Sequence, residues 1–158
     1  MAAKPVPDGY ATVTPYIYVR KSADALAFYE KAFGAKEIYR LTMPDGGIAH
    51  AEMRIGNATV MMADEYPDWG NKSPETLGGV SAGFAIYGED CDAMFAQAIA
   101  AGAREFRPLA DQFYGDRSGS VIDPFGHIWT LCTRKEDVPP SEMQSRMDEW
   151  IKSQSQVS

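Results

Sequence analysis

The residue types best suited to acid/base chemistry are the two histidines, at positions 50 and 127. His50 is followed by Ala51 and Glu52, and alternate residues of a strand point to the same face of a sheet. An imidazole and a carboxylate on one face can act as a general base, supply two ligands of a shifted metal site, or hydrogen-bond a ligand. The same pair can equally close its own hydrogen bonds within the sheet. His127 follows the glycine of a tight turn, and we interpret it as part of that hairpin.

The two cysteines, Cys91 and Cys132, lack the CxxC spacing of a metal site and are too few for a disulfide framework. Cys91 stands near a predicted helix N-terminus, where thiols can be activated, but we interpret it as a packing residue. This cysteine usage predicts a cytoplasmic protein. Residues 1–10 also lack the apolar core of a secretory signal.

Charge and hydropathy exclude two classes of partner. A net charge of -7 and a sequence pI near 4.8 argue against a nucleic-acid partner, because phosphate binding depends on clustered Lys and Arg. No stretch approaches the ~18 apolar residues of a membrane span, so we expect no membrane partner. The length and the 45% apolar content suit one domain, residues 1–158, with a sizeable core.

The first half of the chain predicts the order strand, helix, then three strands. Ser22 is the expected N-cap of a helix over 23–33, and Gly34 ends it. A run rich in Pro, Gly, Asp, Asn and Ser at 64–79 follows and predicts a long connecting loop. Alternating apolar and β-branched residues predict the strands of this half at 12–19, 35–42, 48–54 and 58–63.

An internal repeat gives the second half the same order. Shifting the chain by 68 residues aligns 22–41 with 90–109 without a gap, and seven of the twenty positions are identical. Duplication of a βαβββ unit therefore explains the whole chain as an α+β fold. We expect module 1 at about 12–63, the linker at 64–79, module 2 at about 80–134 and a C-terminal helix at 139–154. Module 2 then contains a helix at 91–101 and strands at 80–87, 104–110, 117–122 and 127–133.

Three local motifs add to the repeat: Ala-Phe-Gly-Ala at 32–35, Tyr-Gly-Asp-Arg at 114–117, and Ile-Asp-Pro-Phe-Gly-His-Ile-Trp at 122–129. With the paired units they make the chain resemble the vicinal oxygen chelate superfamily, in its glyoxalase/bleomycin-resistance-like branch. The resemblance covers about residues 12–134. It implies two half-barrels around a pocket. For enzyme members, the resemblance implies a divalent metal held by four side chains. Each unit supplies two of them, one from its first strand and one from its last strand.

The four positions that the resemblance assigns to metal ligands carry no His, Cys or carboxylate. They fall on Thr14, Val60, Ala82 and Thr130. Protein metal sites need such donors to replace water on the cation. We therefore expect no metal at the family's usual position and no cofactor. A divalent metal at a non-standard site is the alternative.

The face on which His50 and Glu52 lie depends on the turn that follows them. A three-residue loop with Gly56 as a bulge would pair Met53 with Asn57 and His50 with Val60, placing His50 and Glu52 on the pocket face. We favour this loop by analogy with the Asp-Pro-Phe-Gly-His turn. A two-residue Gly56-Asn57 turn would place them on the other face, because a one-residue slip exchanges the faces.

The remaining pocket candidates are mainly apolar or aromatic, as small-molecule sites tend to be. We expect metal-independent binding of a mostly apolar or aromatic small molecule. The alternatives are a lyase, isomerase or dioxygenase with a relocated metal, an acid/base enzyme that uses His50 and Glu52, or an interaction subunit without a ligand.

Homodimerisation is expected, with Met143, Met147 and Trp150 of the C-terminal helix at the interface. Besides the four metal positions, the candidate pocket residues are Tyr16, Met62, Trp69, Phe84, Tyr114, Asp116, Arg117 and Ile122.

Overall fold

A computed structural model describes residues 3–155 and contains two four-stranded mixed sheets. In module 1 the strand order is β1-β4-β3-β2, with β1 parallel to β4 and the other pairs antiparallel. The C-cap residue of its helix, Gly34, has φ +65°, a left-handed conformation that glycine adopts without strain. The elements of module 1 are β1 (Tyr16–Val19), α1 (Ser22–Phe33), β2 (Lys36–Thr42), β3 (Ile48–Ile55) and β4 (Ala58–Asp64).

Module 2 repeats this arrangement, with strand order β5-β8-β7-β6 and β5 parallel to β8. The predicted duplicated βαβββ fold with a C-terminal helix is therefore confirmed. The linker holds a 3-10 turn (Pro67–Trp69) and the short helix α2 (Pro74–Leu77), and a final helix α4 (Pro140–Ser155) follows module 2. The elements of module 2 are β5 (Gly83–Tyr87), α3 (Cys91–Ala101), β6 (Arg104–Asp111), β7 (Asp116–Ile122) and β8 (Ile128–Arg134).

The first strand of each module is shorter than the pattern predicts. Strand β1 begins at Tyr16, which pairs with Met61, and β5 begins at Gly83, which pairs with Ile128. Pro15 accepts the Met61 N–H at 2.9 Å but has no N–H of its own to extend the ladder, and Gly83 already pairs with the first residue of β8. The expected N-cap was also wrong: Ser22 is the first helical residue, and its backbone N–H donates to the Asp64 carboxylate at 2.7 Å.

The hairpin between β3 and β4 has a two-residue turn, so the predicted three-residue loop was wrong. Ile55 pairs with Ala58, and Met53 pairs with Val60 rather than with Asn57. Gly56 has φ +56° and is the only residue of this turn with a positive φ, as the first position of a type II′ turn requires. The analogy failed because the turn in module 2 is longer, with Ile122 paired to Ile128 across five residues.

Each sheet of the duplicated fold has one face covered by its own helix. In module 1 this helix face carries Ile17, Met53 and Met62, which join the buried core with Leu26 of α1. The residues between them point to the opposite side, which we call the open face of the module. In module 2 the helix face carries Trp129 and Leu131, which are also buried.

The two modules pack together through their helices, since α1 lies against α3. A buried aspartate reinforces this contact: Asp123, before β8, accepts hydrogen bonds from Tyr29 of α1 at 2.6 Å and from the Trp129 indole at 2.8 Å. Among residues 3–155, no helix is long and apolar enough to cross a membrane.

Candidate functional site

One row of side chains crosses the whole open face of module 1. The register pairs Tyr16 of β1 with Met61 of β4, Met61 with Glu52 of β3, and Glu52 with Tyr39 of β2. Residues paired in register share a face and lie ~4.5–5.5 Å apart at Cβ. The backbone pairing therefore gathers two tyrosines and a carboxylate, with His50 two residues along β3.

Glu52 is the buried centre of this row, with a relative exposure of 2%. Its Oε1 accepts hydrogen bonds from the Tyr39 hydroxyl at 2.8 Å and from His50 Nε2 at 3.0 Å. Its Oε2 accepts a short hydrogen bond from the Tyr10 hydroxyl. A buried carboxylate is costly unless it is paired and hydrogen-bonded, and these three donors meet that requirement.

His50 links the buried carboxylate to the exposed part of the face. Its Nδ1 lies 2.9 Å from the Tyr16 hydroxyl, while its Nε2 faces Glu52. The imidazole also lies between aromatic rings, with centroids 5.5 Å from Tyr16 and 5.6 Å from Tyr39. The pair therefore closes its hydrogen bonds within the sheet and links Glu52 to Tyr16, a residue that is 40% exposed.

The pKa values in this cluster follow from the same hydrogen bonds. Burial acts to raise the pKa of Glu52, but the bonds from His50, Tyr10 and Tyr39 outweigh it and lower that pKa below its ordinary value. The hydrogen bond to Glu52 is the main cause that raises the pKa of Tyr10 to about 12, and it also raises that of Tyr39. Glu52 is therefore the anion of the cluster, and these tyrosines are its donors.

Tyr10 reaches the site from the segment that precedes β1, and the Thr59 hydroxyl holds this segment by donating to the Gly9 carbonyl at 2.8 Å. The sequence analysis missed both Tyr10 and Tyr39. Tyr39 could have been found by pairing β2 with β3, but only with the correct register. No local pattern signals Tyr10, because it lies outside the strands.

The open face of module 2 is rich in hydroxyl groups. The corresponding row there is Ala85, Thr130, Ser120 and Arg107. Thr130 Oγ1 lies 2.9 Å from Ser120 Oγ, and the Tyr114 hydroxyl lies 3.4 Å from Ser118 Oγ. Two of the predicted pocket residues, Thr130 and Tyr114, therefore border this face.

Asp116 and Arg117 are adjacent in β7 but make separate contacts on its two sides. Asp116 is buried and accepts hydrogen bonds from Tyr87 at 2.7 Å and Arg134 at 2.6 Å. Arg117 points to the other side of β7 and pairs with Asp92 of α3 at 2.7 Å. Successive residues of a strand face opposite sides, so the two groups stabilise different contacts.

Other predicted pocket residues lie away from the open faces. Val60 and Met62 are buried on the helix face of module 1, and the Phe84 ring packs 4.9 Å from that of Trp129. Trp69 is 78% exposed and stacks on Tyr66 in the linker.

The remaining three predicted pocket residues are at strand ends. Thr14 precedes β1 and donates to the Ala11 carbonyl at 3.0 Å, Ala82 precedes β5, and Ile122 ends β7.

An apolar groove of about 440 Å³ runs between the modules and collects some of these residues. The β3–β4 turn forms one wall, and β5 with Trp129 forms the other; Val60 and Phe84 both line it. The predicted pocket residues are thus spread over this groove, the two open faces, the helix sides, the strand ends and the linker. The cluster of titratable groups is on the open face of module 1.

The donor set does not fit the divalent metal that the resemblance implies. The four positions that the resemblance assigns to ligands, Thr14, Val60, Ala82 and Thr130, carry no His, Cys or carboxylate, and Val60 is buried on the helix face. Within the described residues, 3–155, no three His, Cys, Asp or Glu side chains are grouped as a metal site. We derive no chemical step through a metal.

A family model described as the Glyoxalase/Bleomycin resistance protein/Dioxygenase superfamily matches residues 9–131. The chain belongs to this superfamily. The match begins one residue before Tyr10 and ends within β8, so it covers both βαβββ modules of the superfamily fold.

Similarity to individual relatives extends over most of the chain. An uncharacterised protein of Mycobacterium bovis is 42% identical over 138 residues, which cover 85% of this chain and 91% of the relative. The solved structure of the Arabidopsis thaliana gene product At5g48480 has a TM-score of 0.62 and 26% identity, covering 77% of this chain and 98% of that one. The structure of the fosfomycin resistance protein FosX of Mesorhizobium loti has a TM-score of 0.60 at 16% identity and covers 85% of this chain and 97% of FosX. At this level of identity the similarity shows the fold alone.

Proposed function

We propose that this superfamily member binds a small, mostly apolar or aromatic molecule on the open face of module 1, independently of a metal. The observation that carries the proposal is the combination of exposed apolar side chains with a buried polar anchor. Tyr16, Tyr39 and Leu41 are 40%, 43% and 55% exposed, and they surround the His50–Glu52 pair. Ligand sites typically combine an apolar lining with a few fixed polar groups.

We also propose that a second copy of the chain completes the site with the open face of its module 2. That face offers Ser118, Ser120 and Thr130 as hydrogen-bonding groups, and it carries the exposed rings of Tyr87 and Phe106. Each face alone leaves apolar surface in water, and burying it between two copies is favourable at ~25 cal/mol per Å². A shared interface of this kind is a symmetric dimer.

Size-exclusion chromatography with light scattering tests the dimer. We expect about 35 kDa, twice the chain mass of 17.3 kDa. The C-terminal helix contributes further apolar surface, since Met147 and Trp150 are 41% and 46% exposed. A chain that stays at the monomer mass at all concentrations would overturn the shared site.

A thermal-shift screen of aromatic compounds tests the binding site itself. A ligand present at 100 times its Kd stabilises the native state by ~2.7 kcal/mol, and this stabilisation raises the Tm measurably. The matched variants are Leu41→Lys and Ile99→Lys. The first places a charge on the open face of module 1, and the second places a charge at an exposed position of α3. We expect the first variant to lose the ligand-induced shift and the second to keep it.

Two results would contradict this function. Equal ligand shifts in both lysine variants would place the site elsewhere, with the apolar groove as the next location to test. A stoichiometric divalent metal in protein purified without chelator would overturn metal-independent binding. Mass spectrometry of the metal content gives that answer directly.

A further inference from the structure

Three side chains on the open face of module 1 form a line from solvent to the interior. The Tyr16 hydroxyl lies 2.9 Å from His50 Nδ1, and His50 Nε2 lies 3.0 Å from Glu52 Oε1. The residue Tyr16 is 40% exposed, whereas the side chains of His50 and Glu52 are 20% and 3% exposed. A molecule on this face therefore meets the tyrosine first, the imidazole second and the carboxylate last.

The direction of each hydrogen bond follows from the chemistry of the groups. An ionised carboxylate only accepts, so the proton between His50 and Glu52 belongs to His50 Nε2. In the tautomer with its proton on Nε2, the imidazole has a lone pair on Nδ1, to which the Tyr16 hydroxyl can donate across 2.9 Å. Burial, followed by the charges of Tyr18, Tyr39 and Glu52, raises the pKa of Tyr16 and keeps its hydroxyl protonated.

The ionised group in contact with His50 is an anion, because Nε2 lies 3.0 Å from Glu52 Oε1. Glu52 carries the negative charge, and its other two donors, Tyr10 and Tyr39, are neutral hydroxyls. The nearby positive group is Arg54, whose charge acts on Tyr10. A proton that arrives on His50 Nδ1 would thus be adjacent to an anion already held in place.

We infer that this chain of groups removes a proton from an acidic hydroxyl of the bound molecule, such as a phenol or an enol. The ligand O–H gives its proton to the Tyr16 oxygen as the Tyr16 proton moves to His50 Nδ1. The ligand becomes an oxyanion, His50 becomes an imidazolium, Tyr16 remains neutral and Glu52 remains a carboxylate. The charge of the whole site is unchanged, and no further reactant is needed.

This inference rests on the proposed small-molecule site and names its substrate class. A carboxylic acid is already ionised at neutral pH and has no proton to transfer, whereas an alcohol holds its proton too tightly for histidine. An aromatic or enolic hydroxyl lies between these limits, and its ring or conjugated chain fits the exposed apolar groups. Transfer at this site activates the ligand oxygen as a nucleophile or stabilises the bound oxyanion.

Two probes of nearly equal shape separate proton transfer from simple binding. The probes are 4-nitrophenol, which turns yellow on ionisation, and 4-nitroanisole, which has no acidic proton. Equilibrium dialysis measures the binding of each, and the absorbance of the bound fraction measures its ionisation. The assay is run about one unit below the pKa of free 4-nitrophenol, where about a tenth of it is ionised. We expect the bound fraction to be at least half ionised, a roughly fivefold rise.

The variants Tyr16→Phe and Glu52→Gln test the two ends of the chain. Both should return the ionised fraction of bound 4-nitrophenol to that of the free probe, while 4-nitroanisole binding stays within about twofold for Tyr16→Phe. Tyr18→Phe is the matched control, because the Tyr18 ring centroid lies 5.1 Å from that of Tyr16, whereas the hydroxyls bonded to His50 and Glu52 come from Tyr16, Tyr10 and Tyr39. It should retain the rise.

The outcomes distinguish the two proposals. If both probes bind but bound 4-nitrophenol is no more ionised than the free probe, proton transfer is refuted and the binding site stands. The same conclusion holds if Tyr16→Phe keeps the full rise. If neither probe binds the wild-type protein, the proposed binding function and the inference built on it both fail.

Discussion

The buried carboxylate of Asp123 is expected to be the main polar link between the two modules. Its Oδ1 accepts the backbone N–H groups of Phe125 and His127, both at 2.9 Å. Its Oδ2 accepts the Tyr29 hydroxyl of module 1 and the indole N–H of Trp129. The substitution Asp123→Asn keeps the shape of this residue and replaces one acceptor oxygen with a donor.

The expected cost follows from what each partner can do in the variant. The amide oxygen of the new asparagine can still accept from the two backbone groups, and the hydroxyl of Tyr29 can rotate to accept from the new NH₂. The indole N–H of Trp129 is only a donor, so it is left buried and unpaired. Leaving such a group unpaired costs ~1–3 kcal/mol, and the loss of bonds to a charged acceptor adds to it. We therefore expect the free energy of unfolding to fall by ~2–4 kcal/mol.

Urea denaturation followed by tryptophan fluorescence measures this change. The urea concentration at the midpoint of unfolding should fall. The slope of the unfolding free energy against urea concentration should stay constant, because the surface exposed on unfolding is the same. In a thermal melt the loss corresponds to a fall in Tm of roughly 5–15 °C for a domain of this size. Asp68→Asn, on an exposed residue of the linker, makes the same charge change and should alter stability by less than ~0.5 kcal/mol. Equal stability of the two variants would refute the role given to Asp123.

Two further predictions concern the hydrogen-bonded carboxylates of Glu52 and Glu65. Tyr10→Phe removes one of the three donors to Glu52 and should lower the free energy of unfolding by ~1–2 kcal/mol, measured in urea; an unchanged midpoint would show that the N-terminal contact does not stabilise the site. Burial acts to raise the pKa of Glu65, but hydrogen bonds led by the Ser73 backbone lower it to about 2. Because this pKa lies below its ordinary value of 4.5, the stabilisation is present above about pH 4.5 and is lost as the pH falls towards 2. Wild type should be more stable than Glu65→Gln by an amount of order 1 kcal/mol at neutral pH. In thermal melts recorded between pH 4.5 and pH 2, this difference in stability should shrink, and a difference that stays constant would contradict the role given to Glu65.

The fold was predictable because, after duplication, both modules carry the same local sequence patterns. Each copy has a helix that ends in glycine, at Gly34 and Gly102, followed by three strands. Helix periodicity and strand alternation are properties of near neighbours in the chain, so they can be found without knowing any tertiary contact. The strand starts were less predictable, since β5 begins level with the start of β8, whereas β1 begins after Pro15, which has no N–H for the ladder.

The site was only partly predictable because it depends on register. The sequence analysis selected His50, Glu52 and Tyr16, but it paired His50 with Val60 through a three-residue loop. In the structure a two-residue turn puts Val60 on the helix face and His50 with Glu52 on the open face. The error was a single residue in a turn, and a shift of one residue exchanges the faces of a whole strand.

The sequence by itself determined the duplicated α+β fold of this protein, the acidic surface charge and the pairing of His50 with Glu52 on one side of a strand. Only the tertiary structure decided that Tyr16, Tyr39 and Tyr10, from three separate segments, meet at that pair. The physical reason is that periodicity reports which side of its own element a residue lies on. The partners across strands are set by turn length and by the packing of the N-terminal segment, which have no local signature.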